Sequence, residues 1–453
     1  MKNKTTNWKH DIFIAKNSLF RNAAMKEYKI ALKNEHLRLD ELLHLNRCKR
    51  IALIKFAAEN IPFYKEYYRN ITFKSQYFDS PSFWEDIPIL EKHHIKSHFN
   101  EFFNPKLESK HVRKVTTGGS TGEPLKLARD KRFPEEVLQW RMLKHWKISP
   151  AEDKLMFWRQ VPTDQKCYKR VVNQAIWWPT TRIKADASSL DATKLNEIYK
   201  IAEKKHPGIF WGYVGAIEQF AIFMDQENLR FSKPPKCIWV TAAPTTTFQK
   251  NLFQKVFDSP VLDQYACSEI HWVASGVPAS DNLILDYDYR HMEIVNRDGS
   301  SIHSANQQGD IILTDLHNYA FPLIRYRVGD RTAFAEDHLS QAPFFPMIHP
   351  VKGRISDFIK TSSGIILTGE YLTTIFDDYT DLIRQFQISQ EDISTINIFI
   401  VPKQGAVLTN VKKTVRDILK TKTKGQLDII FHEVESIGHD RGKIRFIINK
   451  LKS

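Results

Sequence analysis

Thr116-Thr117-Gly118-Gly119-Ser120-Thr121-Gly122-Glu123-Pro124 is the stretch on which the reading of this chain turns. Its glycines let the backbone approach a phosphate and expose successive N–H donors, and its hydroxyls add more. It lacks the Gly-Lys-Ser/Thr ending of a Walker A loop. A strand-like piece, Leu125 to Ala128, follows it rather than a helix, which disfavours a P-loop NTPase. Taken alone, such a loop is as often an ordinary solvent turn, because Gly, Ser and Thr are common turn residues. Its neighbours have to decide.

Upstream, the first ~110 residues read as helical from apolar residues at helix spacing between breakers. Leu42 to Asn60 and Ile87 to Phe103 carry that pattern, punctuated by Pro62, Pro81 and Pro88. Val112 to Val115 and Leu125 to Ala128 read as short strands flanking the loop. From Phe133 to Val256 helix alternates with strand, as in the helix-like Gly215 to Gln226 and Phe248 to Phe257 around the strand-like Cys237 to Thr241. That alternation points to an α/β sheet core. Between Asn282 and Phe334 the pattern becomes strand-rich, with Arg297-Asp298-Gly299 placed to turn a hairpin. Beyond Gly353 lies a stretch the size of a small α+β domain of ~100 residues. It has strand patterns at Ile396 to Val401 and Leu427 to His432 and a helix pattern at Asn410 to Lys422. The expected division is a large N-terminal domain, 1–352, with a helical lead-in over 1–110, and a small C-terminal domain, 353–453.

The length of 453 residues exceeds what one core usually serves, and 42% hydrophobic with 12% aromatic residues excludes wholesale disorder. No run of 18 or more apolar residues is present, so no segment is expected to span a membrane. Asp11, Lys16 and Arg21 interrupt any apolar stretch that could serve as a signal peptide. Cys48, Cys167, Cys237 and Cys267 are scattered, without a CxxC pair. They read as reduced thiols in a cytoplasmic protein and supply no metal-site spacing. The net charge of +14 is spread along the chain rather than massed in one block. No zinc-finger or RRM-type signature accompanies it, so the charge reads as solvated surface with a share in an anionic-ligand site. A nucleic-acid or anionic-surface binding protein is the rival that this charge alone would support.

Four further segments follow the loop in order: Tyr265-Ala266-Cys267-Ser268-Glu269, Arg325-Tyr326-Arg327-Val328-Gly329-Asp330, Gly353-Arg354-Ile355-Ser356-Asp357 and Gly442-Lys443-Ile444-Arg445. Singly each has a plain structural reading: Tyr265 as core, Glu269 as a solvated helix start, Asp330 as a turn, Lys443 as an edge-strand charge. Together and in this order they resemble the adenylate-forming superfamily of acyl-CoA synthetases, peptide-synthetase adenylation domains and luciferases. The likeness is greatest to the phenylacetate–CoA ligase-like branch that includes CapK-type capsule-biosynthesis proteins. Its markers are Ile61-Pro62-Phe63-Tyr64, Ile87-Pro88-Ile89-Leu90-Glu91-Lys92, and Leu313-Thr314-Asp315-Leu316 leading to Phe321-Pro322-Leu323-Ile324-Arg325-Tyr326.

The resemblance implies an α/β large domain with a mobile α+β lid and ATP-dependent activation of a carboxylic acid as an acyl-adenylate. It implies that Thr117, Gly118, Gly119, Ser120, Thr121 and Gly122 hold the β- and γ-phosphates. Ala242, Ala243 and Pro244 would lie on one face of adenine and Tyr265 on the other. Asp330 would bind the ribose hydroxyls, Arg354 the nucleotide near the hinge, and Glu269 an Mg²⁺ ion bridging the phosphates. Ser356 and Asp357 would mark the hinge, and Lys443 would reach the α-phosphate and the substrate carboxylate. A carboxylate attacking a phosphate brings two anions together, so a dry site supplying Mg²⁺ and a lysine meets the charge that develops. The acyl pocket is expected near Trp211, Tyr213, His271 and Trp272, whose bulk and polarity suit a small, polar or aromatic acid (an amino acid included). The acceptor is left open between the CoA thiol and an amine or hydroxyl of a sugar in polysaccharide assembly. A degenerate relative that binds ATP without reacting is a second rival. Three departures stand out: Ala266 where the family has glycine, Leu125 where it commonly has lysine, and no cysteine cluster of the kind some members use for zinc. His271 reads as a pocket or core histidine, since no third and fourth metal partners accompany it.

Overall fold

The computed structural model describes residues 8–451 except 72, 81–82, 117–124, 159–171, 173, 188–189, 242–244, 278–279, 337–343, 352, 355–357, 364, 369–371, 373–374, 377–378, 380 and 438–445. The chain divides into two compact units. One comprises residues up to Ala151 together with Gln264–Val351, the other Glu152–Asp263 together with the chain from Lys352. Each therefore draws on both halves of the sequence.

The first unit opens with the expected helices, Trp8–Phe20, Asn22–Asn34, Leu39–Asn60 and Pro62–Tyr67. Pro62 occupies the first turn of its helix, where its missing N–H costs nothing. The Ile87 to Phe103 pattern contains a shorter helix, Lys92–His98, followed by a 3₁₀ turn, Phe99–Phe102. Val112–Thr116 and Lys126–Asp130 pair antiparallel on either side of the glycine-rich loop. Arg290–Val295, Gly309–Asp315 and Tyr326–Thr332 form neighbouring antiparallel strands, and Gln264–Tyr265, Ala274–Val277, Ser280–Leu285 and Met347–Ile348 form a second antiparallel sheet. The Arg297-Asp298-Gly299 turn returns the chain only locally, through the bridge Val295–Ser301, with Gly299 at φ +91°.

The family markers meet one another here. The buried Tyr64 hydroxyl donates to the Pro322 carbonyl (3.0 Å). Leu90 brackets Tyr326, donating its N–H to the Arg325 carbonyl (2.9 Å) and accepting from the Arg327 N–H (3.0 Å), and Arg327 Nε reaches Glu91 Oε1 at 2.8 Å. Arg325, in a left-handed conformation at φ +49°, donates its amide to Thr314 Oγ1 (2.9 Å) and its guanidinium to Glu293 (2.7 and 3.1 Å). Segments that look like separate signatures are one packed junction supporting the strand that carries Asp330.

A second buried arginine, Arg141 on the helix Glu136–His145, is paired with Asp286 and Asp288 and also donates to the Ala31 carbonyl at 3.2 Å. Its bonds to Asp288 are 2.8 and 2.9 Å, and Asn34 adds a third donor at 2.8 Å.

The second unit holds a parallel sheet in the order Arg182–Asp186, Lys154–Trp158, Ile209–Tyr213, Cys237–Thr241, Val261–Leu262. One face, with Leu155, Phe157, Phe210, Ile238 and Val240, packs on Ile217, Phe220, Phe253 and Phe257 of the helices Val214–Gln226 and Thr247–Phe257. The strand order reverses between Lys154–Trp158 and Ile209–Tyr213, the kind of switch point where open α/β sheets take ligands. The C-terminal part adds the sheet order Asp428–Glu433, Thr395–Pro402, Ile383–Gln390, Ile447–Asn449, covered by the helix Thr409–Lys422. Glu218 is buried against Gln249 (2.9 Å) and lies by Arg384 and Gln385 of that sheet. Among the described residues no helix is long and apolar enough to cross a membrane.

Two buried cations predict opposite outcomes. Arg141→Met strands Asp286 and Asp288 without a counter-charge and is expected to lower unfolding stability by ~3–5 kcal/mol. Burial pulls Lys154, in the parallel sheet, down from 10.5 to about 7, with Arg182 assisting and Glu152, Cys237 and Asp153 opposing. Above about pH 7 the folded chain releases a proton that the unfolded chain keeps, so this residue makes stability rise with pH up to its ordinary value. Lys154→Met is expected to raise stability at pH 6 by ~1–3 kcal/mol and to remove that rise. Urea unfolding at pH 6 and pH 9 reads both.

Candidate active site

Tyr265 ends the strand Gln264–Tyr265, whose partner Ala274 begins the returning strand, so residues 266–273 form the loop between them. Tyr265 is buried, and its hydroxyl donates to Asp330 Oδ2 at 2.9 Å. Two residues that are 65 positions apart in sequence are thereby joined. Burial, reinforced by the Asp330 charge, raises Tyr265 well above its usual range, so it remains a neutral donor. Burial and the charge of Glu269 likewise raise Cys267 and Tyr326. Glu269 is half-buried and makes no hydrogen bond or ion pair with any other described residue. The resulting patch is electronegative, made by Asp330 and Glu269 around neutral hydroxyls. Such a patch suits a cation, and Mg²⁺ is usually held by one or two carboxylates plus substrate phosphates, not by an all-protein cage. Among the described residues no group of three or more His, Cys, Asp or Glu side chains could hold a metal ion.

The loop itself is shaped by turn bonds and two arginines. Cys267 N–H donates to the Ile270 carbonyl (3.2 Å), while Ile270 N–H returns to Cys267 Sγ (3.2 Å). Trp272 takes a left-handed backbone, φ +51°, which costs a non-glycine residue about 1–2 kcal/mol. Arg290, almost fully buried, places Nε and Nη2 on the preceding His271 carbonyl at 3.1 and 2.9 Å and Nη1 on Asp315 at 2.6 Å. Arg129, on the strand that leaves the glycine-rich loop, reaches the Ser268 carbonyl and His271 Nδ1. Glu135 closes the group at 3.2 Å from Arg129 and 3.5 Å from His271. Burial would raise Glu135, but contact with His271 and the Arg129 and Arg290 charges outweigh it and take the carboxyl down to about 2. Burial and the Arg129 charge lower His271 despite Glu135, and its Nδ1 is the acceptor for Arg129.

Trp211 and Tyr213 lie in the second unit. Trp211 stacks on Trp239 (5.2 Å between centroids, 25° between planes), and Trp158 packs edge-on to Trp211 and Tyr213 at 5.1 and 4.9 Å. All sit on the sheet face opposite the helices, toward the C-terminal ends of the switch-point strands. A Cβ on Gly212 would meet the Phe157 carbonyl oxygen at 2.4 Å, so the strands approach this closely only with glycine there.

Not every expected residue falls within the described part. Thr117 to Gly122, Ala242, Ala243, Pro244, Ser356, Asp357 and Lys443 lie outside it. Arg354 is placed only as part of the short strand Gly353–Arg354. Tyr265, Asp330, Glu269, His271 and Trp272 belong to the first unit, Trp211 and Tyr213 to the second. Sequence reading missed Arg129, Glu135 and Arg290. A signal for Arg129 existed: it continues the inward alternation Leu125, Leu127, Arg129, where a charge demands a partner. Removing the Tyr265 hydroxyl should be felt by the fold, whereas Glu269 has no bond to lose. Tyr265→Phe is expected to lower unfolding stability by ~1.5–3 kcal/mol and Glu269→Gln to leave it within about 0.5 kcal/mol, measured by urea unfolding.

Comparison with known proteins bears on this geometry. Residues 359–450 match the CapK C-terminal domain. The chain is 25% identical to Protein CapK of Staphylococcus aureus over 391 residues, 81% of this chain and 80% of the relative. Among solved structures, 2-hydroxyisobutyryl-CoA ligase in its postadenylation state superposes with a TM-score of 0.73 at 15% identity, covering 92% of this chain and 91% of the other. The amide bond synthetase McbA from Marinactinospora thermotolerans gives a TM-score of 0.51 at 11% identity, covering 75% and 68%. The α/β architecture expected from the sequence is the one found. The chain is similar to CapK over most of its length, ends in a match to the CapK C-terminal domain, and shares the fold of 2-hydroxyisobutyryl-CoA ligase.

Proposed function

We propose that the chain is an AMP-forming carboxylate ligase: it uses ATP to convert a small carboxylic acid into an acyl-adenylate and hands the acyl group to an acceptor. The observation that carries this reading is the Tyr265–Asp330 bond with the uncommitted Glu269 beside it, in a fold shared with adenylate-forming ligases.

In the first step a carboxylate oxygen attacks the α-phosphorus, the bond to the β-phosphate breaks, and pyrophosphate leaves. Tyr265 packs against adenine, Asp330 takes the ribose hydroxyls, and residues 117–122 cradle the β- and γ-phosphates. Glu269 holds Mg²⁺, which neutralises phosphate charge when bound. Lys443 offers its ammonium to the α-phosphate and the incoming carboxylate, the point where negative charge accumulates. In the second step the acceptor heteroatom attacks the acyl carbon, loses its proton, and AMP departs. A lid formed by 353–453, turning about Arg354 to Asp357, would separate the two steps.

The bulk of the aromatic cluster of Trp158, Trp211 and Tyr213, with Trp239 stacked on Trp211, favours a small acid over a long acyl chain. Likeness to CapK favours a sugar amine or hydroxyl as acceptor. The closer superposition on 2-hydroxyisobutyryl-CoA ligase supports the CoA thiol as a second reading.

The test is pyrophosphate release with ATP and Mg²⁺ across small carboxylic and amino acids, against fatty acids, in wild type and Lys443→Ala. Release that depends on a small acid and falls about 10²–10³-fold in the variant is expected. Tight ATP binding with no release would leave a non-reacting homologue. Salt-sensitive retention on DNA or anionic vesicles without nucleotide binding would point to the surface-binding rival. AMP formation with CoA added, compared with amino sugars and sugar hydroxyls, then separates the acceptors.

A further inference from the structure

Glu269 can serve a metal only if its loop holds it in one place, and its own backbone provides little to do so. The turn Cys267 to Ile270 closes on itself, and Trp272 is held in a left-handed conformation that relaxes unless something outside the loop opposes it. Arg290 opposes it on one side, with two donors on the His271 carbonyl and its charge neutralised by Asp315. Arg129 is the counterpart on the other side. Its guanidinium spans from the Ser268 carbonyl, one residue before Glu269, to His271 Nδ1, two residues after it, and Glu135 accepts from the same Nη1 at 3.2 Å. Arg129 also lies on Lys126–Asp130, the strand that emerges from the glycine-rich loop and pairs with the strand that enters it.

We propose that Arg129, oriented by Glu135, is a positioning residue that sets the direction of Glu269 and ties it to the phosphate-loop hairpin, so that Mg²⁺ and nucleotide are met by one rigid arrangement. This rests on the adenylate-forming reading above. The planar fork is essential to it: a single ammonium cannot bridge the Ser268 carbonyl and the His271 ring while also facing Glu135. Partners one step behind a metal ligand commonly change metal affinity by about 10–100-fold when removed.

The experiment compares full-length wild type, Arg129→Lys and Arg129→Gln. It measures hydrogen exchange of peptides covering 266–273 without nucleotide, the Mg²⁺ concentration giving half-maximal ATP binding, and the melting temperature. Arg129→Lys retains the charge facing Glu135 and should fold even if Arg129→Gln does not. The expected result in Arg129→Lys is faster exchange confined to 266–273 and a rise of about tenfold or more in half-saturating Mg²⁺, with melting little changed. Wild-type exchange and Mg²⁺ dependence in a folded Arg129→Lys would overturn the proposal while leaving the ligase reading intact. Equal loss of ATP binding with and without Mg²⁺, accompanied by lowered melting, would make Arg129 merely structural and also overturn it. A wild type whose ATP binding ignores Mg²⁺ would remove the ligase reading, and this proposal with it.

Discussion

A guanidinium taken out of water has to be surrounded by carboxylate and carbonyl oxygens, because an unpartnered buried charge is far costlier than a lost contact. Arg141, Arg290 and Arg325 are 0%, 1% and 2% exposed, and that requirement organises the first unit around them. Arg141 ties the helix Glu136–His145 to Asp286 and Asp288. Four residues past Asp286, Arg290 holds the His271 carbonyl and Asp315. Arg325 joins the segment around Ile87 to Glu293. These are the stations from which the irregular segments are hung. The loop bearing Glu269 can leave regular pairing, and the strand bearing Asp330 can sit where it does, because their ends are fixed to paired charges.

The chemistry of the site follows from what burial does to its neighbours. Tyr265, Cys267 and Tyr326 are kept protonated by desolvation and by the nearby carboxylates. The Tyr265 hydroxyl directs Asp330 by hydrogen bonding. Asp330 is engaged by Tyr265 and Glu269 is not engaged by any described residue. Under the function proposed above that asymmetry has a use: a carboxylate that is to accept from hydroxyls gains from a fixed direction, and one that is to meet a divalent cation gains from making no ion pair with a described residue.

Much of this was legible along the chain. The helices of the lead-in, the strand Cys237–Thr241, the helix Thr409–Lys422 and the strands on either side of the glycine-rich loop appear where apolar period and turn residues placed them. Those features are local: a helix stripe or a buried run is visible within a dozen residues. The Arg297 to Gly299 turn shows the limit of local reading, since it closes a single bridge, while the main partner of Arg290–Val295 begins at Gly309. The role of Arg129 is not visible locally, because its partners Ser268 and His271 are more than a hundred residues away.

What the sequence by itself determined was the order of the motifs that carry the family resemblance, the α/β class, and the absence of any long apolar run, because residue types and short periods are read directly along the chain. What only the tertiary structure decided was which of them act on one another. Tyr265 bonds to Asp330, Tyr64 meets Pro322, Leu90 meets Tyr326, and Arg129 and Arg290 hold the loop of Glu269. The physical reason is that a buried charge or hydroxyl is satisfied by whatever packing brings within about 3 Å, and that distance in space has no counterpart in distance along the chain.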